Sequence, residues 1–172
     1  EAPLPSVRSL ELAARKMCAP IDEIERVFRV FVADERPNPL NLLPGERGWI
    51  IERVKTLDGE RALTIDDLVR ADLLPLATLE REVQGSLFDV VCAHAKPGSI
   101  RVADIVKAET ADRRSAERLG VPFGTLLVVI ERTIRGADGI PLAWSRGEHV
   151  ASRFQFKVES ELRIAVSAAE PA

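Results

Sequence analysis

The sequence predicts an α+β fold built mainly on an antiparallel sheet. The first observation is residues 126–150, where apolar and polar side chains alternate as in a strand covered on one face. The apolar side of the first arm carries Leu126, Val128, Ile130 and Ile134. Asp138 and Gly139 then predict a tight turn, because both residue types tolerate a positive φ angle. A second arm follows with Leu142, Trp144 and Val150, so the stretch reads as a β-hairpin with two long arms.

The second observation is an internal repeat. Glu52 and Arg53 lie 79 positions before Glu131 and Arg132 (131 − 52), and each pair stands in an apolar run that ends at Asp-Gly. Gly45 and Gly124 are separated by the same 79 positions. We therefore predict an internally duplicated single domain over residues 1–172. Its halves span about residues 6–84 and 85–166, and each half reads as a strand, a helix and a hairpin.

The first half contains one predicted strand and one predicted helix before its hairpin. Residues 7–12 are a short strand candidate. Pro20 predicts the start of a helix, because a missing N–H is tolerated in the first turn. The helix is indicated by apolar residues at helical spacing: Ile21, Ile24, Phe28 and Phe31. Residues 33–43 contain prolines and asparagines and are predicted to form a surface loop without a counterpart in the second half.

The second half begins with a predicted helix capped by Ser86. One face of this helix carries Leu87, Val90, Val91 and His94. Residues 69–84 before it are predicted to be irregular or partly helical. A further helix over residues 111–119 is expected to end at Gly120. The alternation of Phe154, Phe156 and Val158 predicts a last strand, with Leu162, Ile164 and Val166 as its continuation.

Composition limits the possible functions. Hydrophobic residues make up 46% and charged residues 30% of the 172 residues, values typical of a soluble globular domain. The net charge of −3 gives no general attraction for nucleic acid or for a membrane surface. No apolar run is long enough to cross a membrane, and the first residues lack the pattern of a signal peptide, so we expect a cytoplasmic protein. Cys18 and Cys92 are expected to be buried free thiols. The chain begins with Glu rather than Met and is expected to be a fragment.

No catalytic constellation is found in the sequence. His94 is expected on the core side of its helix, and His149 in a strand beside Glu148. Neither histidine belongs to a spacing typical of a metal site, and no glycine pattern typical of nucleotide binding occurs. We therefore predict no enzyme activity, no metal and no cofactor.

The candidate binding residues are polar side chains within apolar strands. Arg53 and Arg132 share the parity of Ile51 and Ile130, so their side chains start from the core-facing side. A guanidinium group there needs an anionic partner, which is either a carboxylate of the protein or a bound ligand. Lys55 has the same parity.

Two further candidate binding sites each have two possible interpretations. The row Trp144, Arg146 and Glu148 on the last hairpin arm is either an ordinary exposed surface or the wall of a pocket. Ser86 is either a simple helix cap or part of an anion site at the first turn of the helix.

A family resemblance covers nearly the whole chain. Residues 119–156 closely resemble the signature of the UTRA domain, the effector-binding domain of GntR/HutC-type bacterial repressors, with the sequence LGVPFGTLLVVIERTIRGADGIPLAWSRGEHVASRFQF. Residues 43–65 and 85–89 resemble the first half of that domain and its central helix. The resemblance implies a chorismate-lyase-like fold, which is a six-stranded antiparallel sheet with flanking helices. It also implies a homodimer that binds a small metabolite and signals to an upstream winged helix-turn-helix domain absent from this chain.

The resemblance also implies site residues and a ligand class. The anion-binding pair of the family falls on Arg53 and Lys55, and its helix-start serine falls on Ser86. The aromatic position is Trp144, and Glu148 stands where an aromatic residue is frequent. Two acidic positions that hold sugar hydroxyls in the sugar-phosphate-binding members are Ile65 and Ala143 in this sequence. We therefore expect a smaller or more apolar organic anion than an amino-sugar phosphate.

Three functions are considered on this basis. The first is a ligand-sensing domain of a repressor, with an effector site composed of Arg53, Lys55, Ser86, Arg132, Trp144, Arg146 and Glu148. The second is an enzyme of the chorismate-lyase type that acts on a small aromatic acid, and the third is a domain that only dimerises. Residues 4–16 superficially resemble the start of a DNA-binding domain. However, Asp22, Glu23 and Glu25 occupy positions where a recognition helix would carry basic or base-reading residues.

Overall fold

The computed structural model describes residues 21–83, 86–96 and 98–156. Six antiparallel strands form one sheet in the spatial order β1-β2-β3-β6-β5-β4. The strands are β1 Ile21–Val32, β2 Arg47–Leu57, β3 Glu60–Arg70, β4 Arg101–Thr110, β5 Leu126–Arg135 and β6 Pro141–Val150. The predicted α+β class and the six-stranded antiparallel sheet are confirmed. The strand predicted at residues 7–12, Cys18 and the continuation at Leu162, Ile164 and Val166 lie outside the described residues.

Helices cover both faces of the sheet. The described ranges contain three α-helices, α1 Leu76–Glu82, α2 Leu87–His94 and α3 Arg113–Leu119. The first two pack on one face, called here the α1–α2 face, in a cluster that contains Ile51, Val69, Leu79, Val83, Leu87, Val90, Val91, Ile134 and Ala143. The third packs on the opposite face, the α3 face, in a cluster of Ala111, Ala116, Leu119, Leu127, Val129 and Val150. Strand β5 is therefore covered on both faces, whereas the sequence predicted cover on one face. No helix in the described ranges is long and apolar enough to cross a membrane.

The two predicted hairpins are β2–β3 and β5–β6. The turn residues Asp58 and Gly59 have φ angles of 52° and 78°, and Gly139 has a φ angle of 81°. Each hairpin also contains a register shift beside its turn, one between Lys55 and Thr56 and the other between Ile134 and Arg135. Such a bulge shifts every later side chain by one position relative to the partner strand. The bulges therefore determine which residues face each other in the middle of the sheet.

The two halves share a backbone pattern at Gly45 and Gly124. The N–H of Gly45 donates to the carbonyl of Ala33, and the N–H of Gly124 donates to the carbonyl of Ala111, both at 2.9 Å. The φ angles of the two glycines are 88° and 81°, a region that favours glycine. The repeat read from the sequence thus coincides with equivalent local geometry, and duplication as its origin stays a prediction.

The helix predicted from Pro20 onward is wrong, because residues Ile21–Val32 form strand β1. A register shift between Glu23 and Glu25 inserts one extra residue into this strand. Beyond it, Phe28 packs on the α1–α2 face, whereas Phe31 packs on the α3 face beside Leu40 and Leu42. A bulged strand with apolar residues on both faces imitates helical spacing, so periodicity alone did not distinguish the two.

The predicted last strand is also wrong at Phe154 and Phe156, whereas its third residue, Val158, lies outside the described residues. Strand β6 ends at Val150, and Ala151–Arg153 form a short 3-10 helix. The two phenylalanine rings stack on each other and contact the ring of His149 edge-on. The alternation in sequence reflects this aromatic cluster rather than pairing with another strand.

The helix predicted over residues 111–119 is confirmed as α3. In the first half, a loop occupies the equivalent position. Residues 33–46 connect β1 to β2 as α3 connects β4 to β5. The side chain of Asp112 caps α3 by accepting from the N–H of Ser115 at 2.8 Å. At the other end, Gly120 adopts the left-handed conformation, with φ 64° and ψ 35°. The N–H of Val121 then donates to the carbonyl of Ala116 at 3.1 Å, which closes the helix end.

Replacing Gly120 with alanine should destabilise the domain by about 1 kcal/mol, because a side chain disfavours the left-handed conformation. The nearest atom to the added methyl group is Cδ of Arg61 at 3.8 Å, so the effect comes from the backbone and not from a clash. Urea denaturation measures the change. The exposed helix residue Glu117, replaced by alanine, is the control and should change the stability much less. Equal effects of the two substitutions would contradict the backbone explanation.

Candidate functional site

A row of polar side chains crosses the α1–α2 face of the sheet. It consists of Arg53 on β2, Asp67 on β3, Ser145 on β6, Arg132 on β5 and Asp104 on β4, and it is called here the polar row. The register places Asp67 opposite Ser145, Ser145 opposite Arg132, and Arg132 opposite Asp104. The adjacent strands β3, β6, β5 and β4 thus contribute one continuous line of side chains. Arg53 extends this line to a fifth strand, β2.

The centre of the polar row is a buried ion pair. Nη2 of Arg53 lies 2.7 Å from Oδ2 of Asp67, and the side chains are 4% and 0% exposed. The hydroxyl of Ser145 donates to the other oxygen of the Asp67 carboxylate. Glu23 of β1 lies 3.9 Å from Nη1 of Arg53 and also binds Arg26. Arg53 is therefore held by one carboxylate from each adjacent strand, Glu23 of β1 and Asp67 of β3.

The second arginine of the polar row has a carboxylate of its own. Nε and Nη2 of Arg132 donate to the two oxygens of Asp104 at 2.8 and 3.0 Å, a bidentate geometry. The predicted core-facing direction of Arg53 and Arg132 is thus found in the structure. The sequence left two possible partners for each guanidinium group, a carboxylate of the protein or a bound ligand. In the structure, each guanidinium contacts a carboxylate of the protein.

Two other candidate residues belong to the same side of the sheet. Lys55 lies two positions after Arg53 on the α1–α2 face and is half-buried, opposite Leu63 of β3. Ser86 is the N-cap residue of α2, as predicted, although its hydroxyl makes no capping hydrogen bond. Arg53, Lys55 and Arg132 thus share the face against which the helix that follows Ser86 packs.

The remaining three candidates lie on the opposite face. Trp144, Arg146 and Glu148 alternate with Ser145 and Gly147 along β6, so they project from the α3 face. Arg146 donates to Glu109 at 2.6 Å and to Glu131 at 2.8 Å, and contacts Glu148 at 3.2 Å. Burial acts to lower the pKa of Arg146, but Glu109 and Glu148 outweigh it, so the pKa is raised. The seven predicted site residues are therefore divided between two faces of the sheet.

Trp144 lines a cleft of about 400 Å³ on the α3 face. Phe31, Ile50 and Leu68 lie with it along the apolar part, and the loop of residues 33–46 supplies further lining residues. The side chain of Arg114 lines the polar part and binds Glu52 at 2.6 Å and Asp66 at 3.3 Å. Arg53 projects from the other face of the sheet, but Asp67, its ion-pair partner, is among the residues that line the cleft.

The two histidines have different environments. His149 is buried, its Nδ1 lies 3.1 Å from the carbonyl of Val128, and burial lowers its pKa to about 4. It is therefore uncharged at neutral pH. His94 is half-buried and its Nε2 lies 2.7 Å from Oε2 of Glu82 on α1, so it is not the core residue expected from the sequence. This contact, followed by that of Arg81, lowers the pKa of Glu82.

Sequence reasoning did not find Asp67, Ser145 and Asp104. Only Asp104 has apolar residues on both sides, whereas Asp67 and Ser145 each have a charged neighbour, Asp66 and Arg146. The meeting of Asp67 with Arg53 and the position of Ser145 opposite Arg132 depend on the hairpin bulges, whereas the position of Asp104 depends on the β4–β5 register. Neither has a distinct sequence pattern here. Among the described residues, no three metal-ligating side chains come together. Cys92 is half-buried rather than buried as expected.

The comparison with known families gives one match, and it covers most of the chain. A family model described as the UTRA domain matches residues 20–155. No curated protein sequence matches the chain.

Solved structures show the same fold. The effector domain of PhnF from Mycobacterium smegmatis aligns with a TM-score of 0.72 at 20% identity, over 94% of this chain and 99% of that chain. The C-terminal domain of the histidine utilization repressor from Pseudomonas syringae aligns with a TM-score of 0.67 at 18% identity, over 84% and 99%. A GntR-family transcriptional regulator from Enterococcus faecalis gives 0.64 at 19% identity, over 82% and 100%. A second structure of PhnF contains a longer chain, of which this chain covers 70%.

Proposed function

Because this chain belongs to the UTRA domain family, we propose that it is the effector-binding domain of a GntR/HutC-type transcriptional repressor and that it senses a small organic anion. Two of the similar structures are the effector domain of PhnF and the C-terminal domain of the histidine utilization repressor. In this proposal the domain works as a homodimer. It acts on DNA through a winged helix-turn-helix domain of the same regulator.

The observation that carries the ligand class is the buried pair of Arg53 and Asp67. A ligand carboxylate offers an arginine the same planar pair of oxygens as an aspartate does, so it can exchange with Asp67 or share the guanidinium with it. Because protein carboxylates already balance Arg53 and Arg132, a ligand with several negative charges would be repelled. A small anion with a single charge fits this balance best.

The apolar neighbours of the polar row support the same class. Ile65 lies opposite Arg53 in the β2–β3 register, and Ala143 is fully buried in the cluster on the α1–α2 face. Neither side chain can hold a sugar hydroxyl. We therefore place the effector on the α1–α2 face, at Arg53, Lys55, Arg132 and Ser86, and favour an organic acid over a sugar phosphate.

The proposed mechanism is a shift between two arrangements of the regulator. The effector binds the arrangement that does not bind the operator more tightly, and this difference in affinity shifts the population. The polar row extends to β4, the last strand of the sheet. A ligand that replaces a protein carboxylate in this row can therefore alter the relative position of neighbouring strands.

A thermal-shift screen with organic acids, amino-acid catabolites and sugar phosphates tests the proposal. A ligand at about a hundred times its dissociation constant should stabilise the domain by roughly 2.7 kcal/mol. Replacing Arg53 with lysine keeps the charge but removes the two-pronged geometry, so the affinity for the best acid should fall about tenfold.

Arg146 replaced by lysine is the matched control, because it makes the same change on the α3 face. We expect this variant to bind the acid as the unchanged chain does. Loss of binding in the Arg146 variant alone would move the site to the α3 face and contradict the assignment. Incubation with chorismate and a search for product tests the enzymatic alternative, and we expect no product.

A further inference from the structure

The cleft beside Trp144 contains two carboxylates that the sheet register brings face to face. Glu52 on β2 lies directly opposite Asp66 on β3, and both residues line the cleft on the α3 face. Their side chains are only 19% and 23% exposed. Two like charges directly opposite each other destabilise a sheet, and a cation between them removes this repulsion. The register therefore creates a place for a positively charged group, called here the cation seat.

In the structure, the guanidinium group of Arg114 on α3 occupies the cation seat. Its Nη2 lies 2.6 Å from Oε1 of Glu52 and 3.3 Å from Oδ2 of Asp66. The other oxygen of Glu52 lies 3.0 Å from Arg29. The other oxygen of Asp66 lies 2.7 Å from Arg118. Each carboxylate thus has one partner of its own and directs its second oxygen toward a shared cation.

Exposure decides which member of this arrangement is exchangeable. The side chain of Arg114 is 60% exposed, whereas the two carboxylates are mostly buried. An exposed guanidinium returns to water at little cost. A mostly buried carboxylate that loses its cation costs considerably more. A cationic ligand can therefore replace Arg114, whereas an anionic ligand would have to separate Arg114 from the carboxylates and would then be repelled by them.

An apolar wall lies next to the cation seat. Ile50 and Leu68 precede Glu52 and follow Asp66 by two positions, and Trp144 lies opposite Leu68 on β6. Two residues along a strand span about 7 Å, so the apolar wall begins at about that distance from the carboxylates. An indole ring packs well against a flat apolar group and also attracts a nearby cation. The cleft thus combines a place for a positive charge with a place for an apolar body.

The loop of residues 33–46 forms the other side of the cleft and is held in place by its own contacts. The side-chain amide of Asn38 donates to the carbonyl of Leu42 at 2.9 Å. Its oxygen accepts from the N–H groups of Leu40 and Leu42 at 3.2 and 3.0 Å. Leu40 is fully buried beneath the loop. The cleft of about 400 Å³ therefore exists without a ligand, and its volume is within the range of small-molecule sites.

We propose that this cleft binds a small organic cation, in which a short chain joins an ammonium group to a flat apolar group. The ammonium group takes the place of Arg114 between Glu52 and Asp66, and the apolar group packs against the apolar wall at Trp144. This site lies on the opposite face of the sheet from the effector site proposed above and takes a ligand of opposite charge. It is therefore a second ligand site of the domain.

A titration with phenethylammonium, followed by nuclear magnetic resonance, tests this site. The chain has two tryptophans, so two indole N–H signals report on the two faces, and a variant with Trp144 replaced by phenylalanine assigns them. Trp49 packs on the α1–α2 face, where its indole N–H donates to the carbonyl of Leu74 at 2.9 Å. Phenethylammonium should shift the Trp144 signal saturably, with a Kd of about 1 mM, and leave the Trp49 signal unchanged. Phenylpropionate, which has a similar body and the opposite charge, should not shift the Trp144 signal.

Two variants test the role of each partner in the cation seat. Arg114 replaced by glutamine should lower the Kd for phenethylammonium about threefold, because the competing guanidinium group is gone. Arg81 replaced by glutamine is the matched control, since it removes the same charge from an exposed ion pair on α1, and it should leave the Kd unchanged. Glu52 replaced by glutamine should raise the Kd about tenfold. Glu60 replaced by glutamine is its control, because Glu60 is exposed at the β2–β3 turn.

The Trp49 signal shows in each variant that the fold is retained. A Trp144 signal that does not saturate, or one that phenylpropionate shifts equally, would overturn the inference. An Arg114 variant that binds phenethylammonium no more tightly than the Arg81 variant would overturn it as well. The screen for an acidic effector uses other ligands and the other face of the sheet, so its failure leaves this site unaffected.

Discussion

Replacing Asp67 with asparagine is expected to lower the free energy of unfolding by about 3–5 kcal/mol. The asparagine has the shape of the aspartate, and its oxygen can still accept from Arg53 while its amide N–H donates to Ser145, so the change removes mainly the charge. Arg53, whose side chain is 4% exposed, would then remain buried without its closest carboxylate. Glu23 is 3.9 Å away and compensates only in part. Urea denaturation at one fixed protein concentration measures the loss.

Two further variants separate the ion pair from a general effect of the substitution. Asp72 replaced by asparagine breaks an exposed pair with Arg70 and should change the stability by less than about 1 kcal/mol. Adding Arg53 replaced by methionine to the Asp67 variant should recover most of the lost stability, because no unbalanced charge remains. If the double variant were as unstable as the single one, the ion pair would not be the cause.

Acidification is expected to destabilise the domain by about 3 kcal/mol between pH 6.5 and pH 4 through His149 alone. Burial lowers the pKa of His149 from 6.5 to about 4 in the folded chain. Above pH 6.5 the ring is neutral in both states. Between pH 6.5 and 4 the unfolded chain takes up a proton that the folded chain does not, so the stability contribution is lost as the pH falls.

The variant with His149 replaced by glutamine isolates this contribution. Several carboxylates have lowered pKa values, among them Asp72, Asp112 and Glu131. Their protonation at low pH destabilises the unchanged chain and the His149 variant alike. The difference between the two urea profiles therefore reports His149. Parallel profiles from pH 7.5 to 4.5 would show that the histidine is not buried as a neutral ring.

The correctly predicted elements have strong local causes. Asp58 and Gly59 specify their turn through positive φ angles, and Gly120 ends α3 for the same reason. Apolar alternation identified β2 and β5, and residues with the parity of Ile51 were correctly expected to face the core. Each of these signals depends on a few adjacent residues, so the rest of the fold does not change it.

The wrong predictions involve elements whose neighbours are distant in sequence. Strand β1 was predicted to be a helix because its bulge hides the period of two, and pairing with β2 decides its conformation. Phe154 and Phe156 were predicted to form a strand, but they pack around His149 instead. In both cases tertiary contacts outweigh local propensity.

The candidate site shows the same division. Residue type and parity alone indicated that Arg53 and Arg132 point toward the core and need anionic partners. The bulge beside the β2–β3 turn decides that Arg53 meets Asp67, whereas the unshifted register of β4 and β5 decides that Arg132 meets Asp104. Without the bulge at Lys55, Arg53 would lie opposite Thr64, and Asp67 would face away from it. The same register places Trp144, Arg146 and Glu148 on the opposite face from Arg53, although the sequence grouped them into one site. A shift of one residue reverses the face of every side chain that follows, and only the paired strands of the folded sheet reveal it.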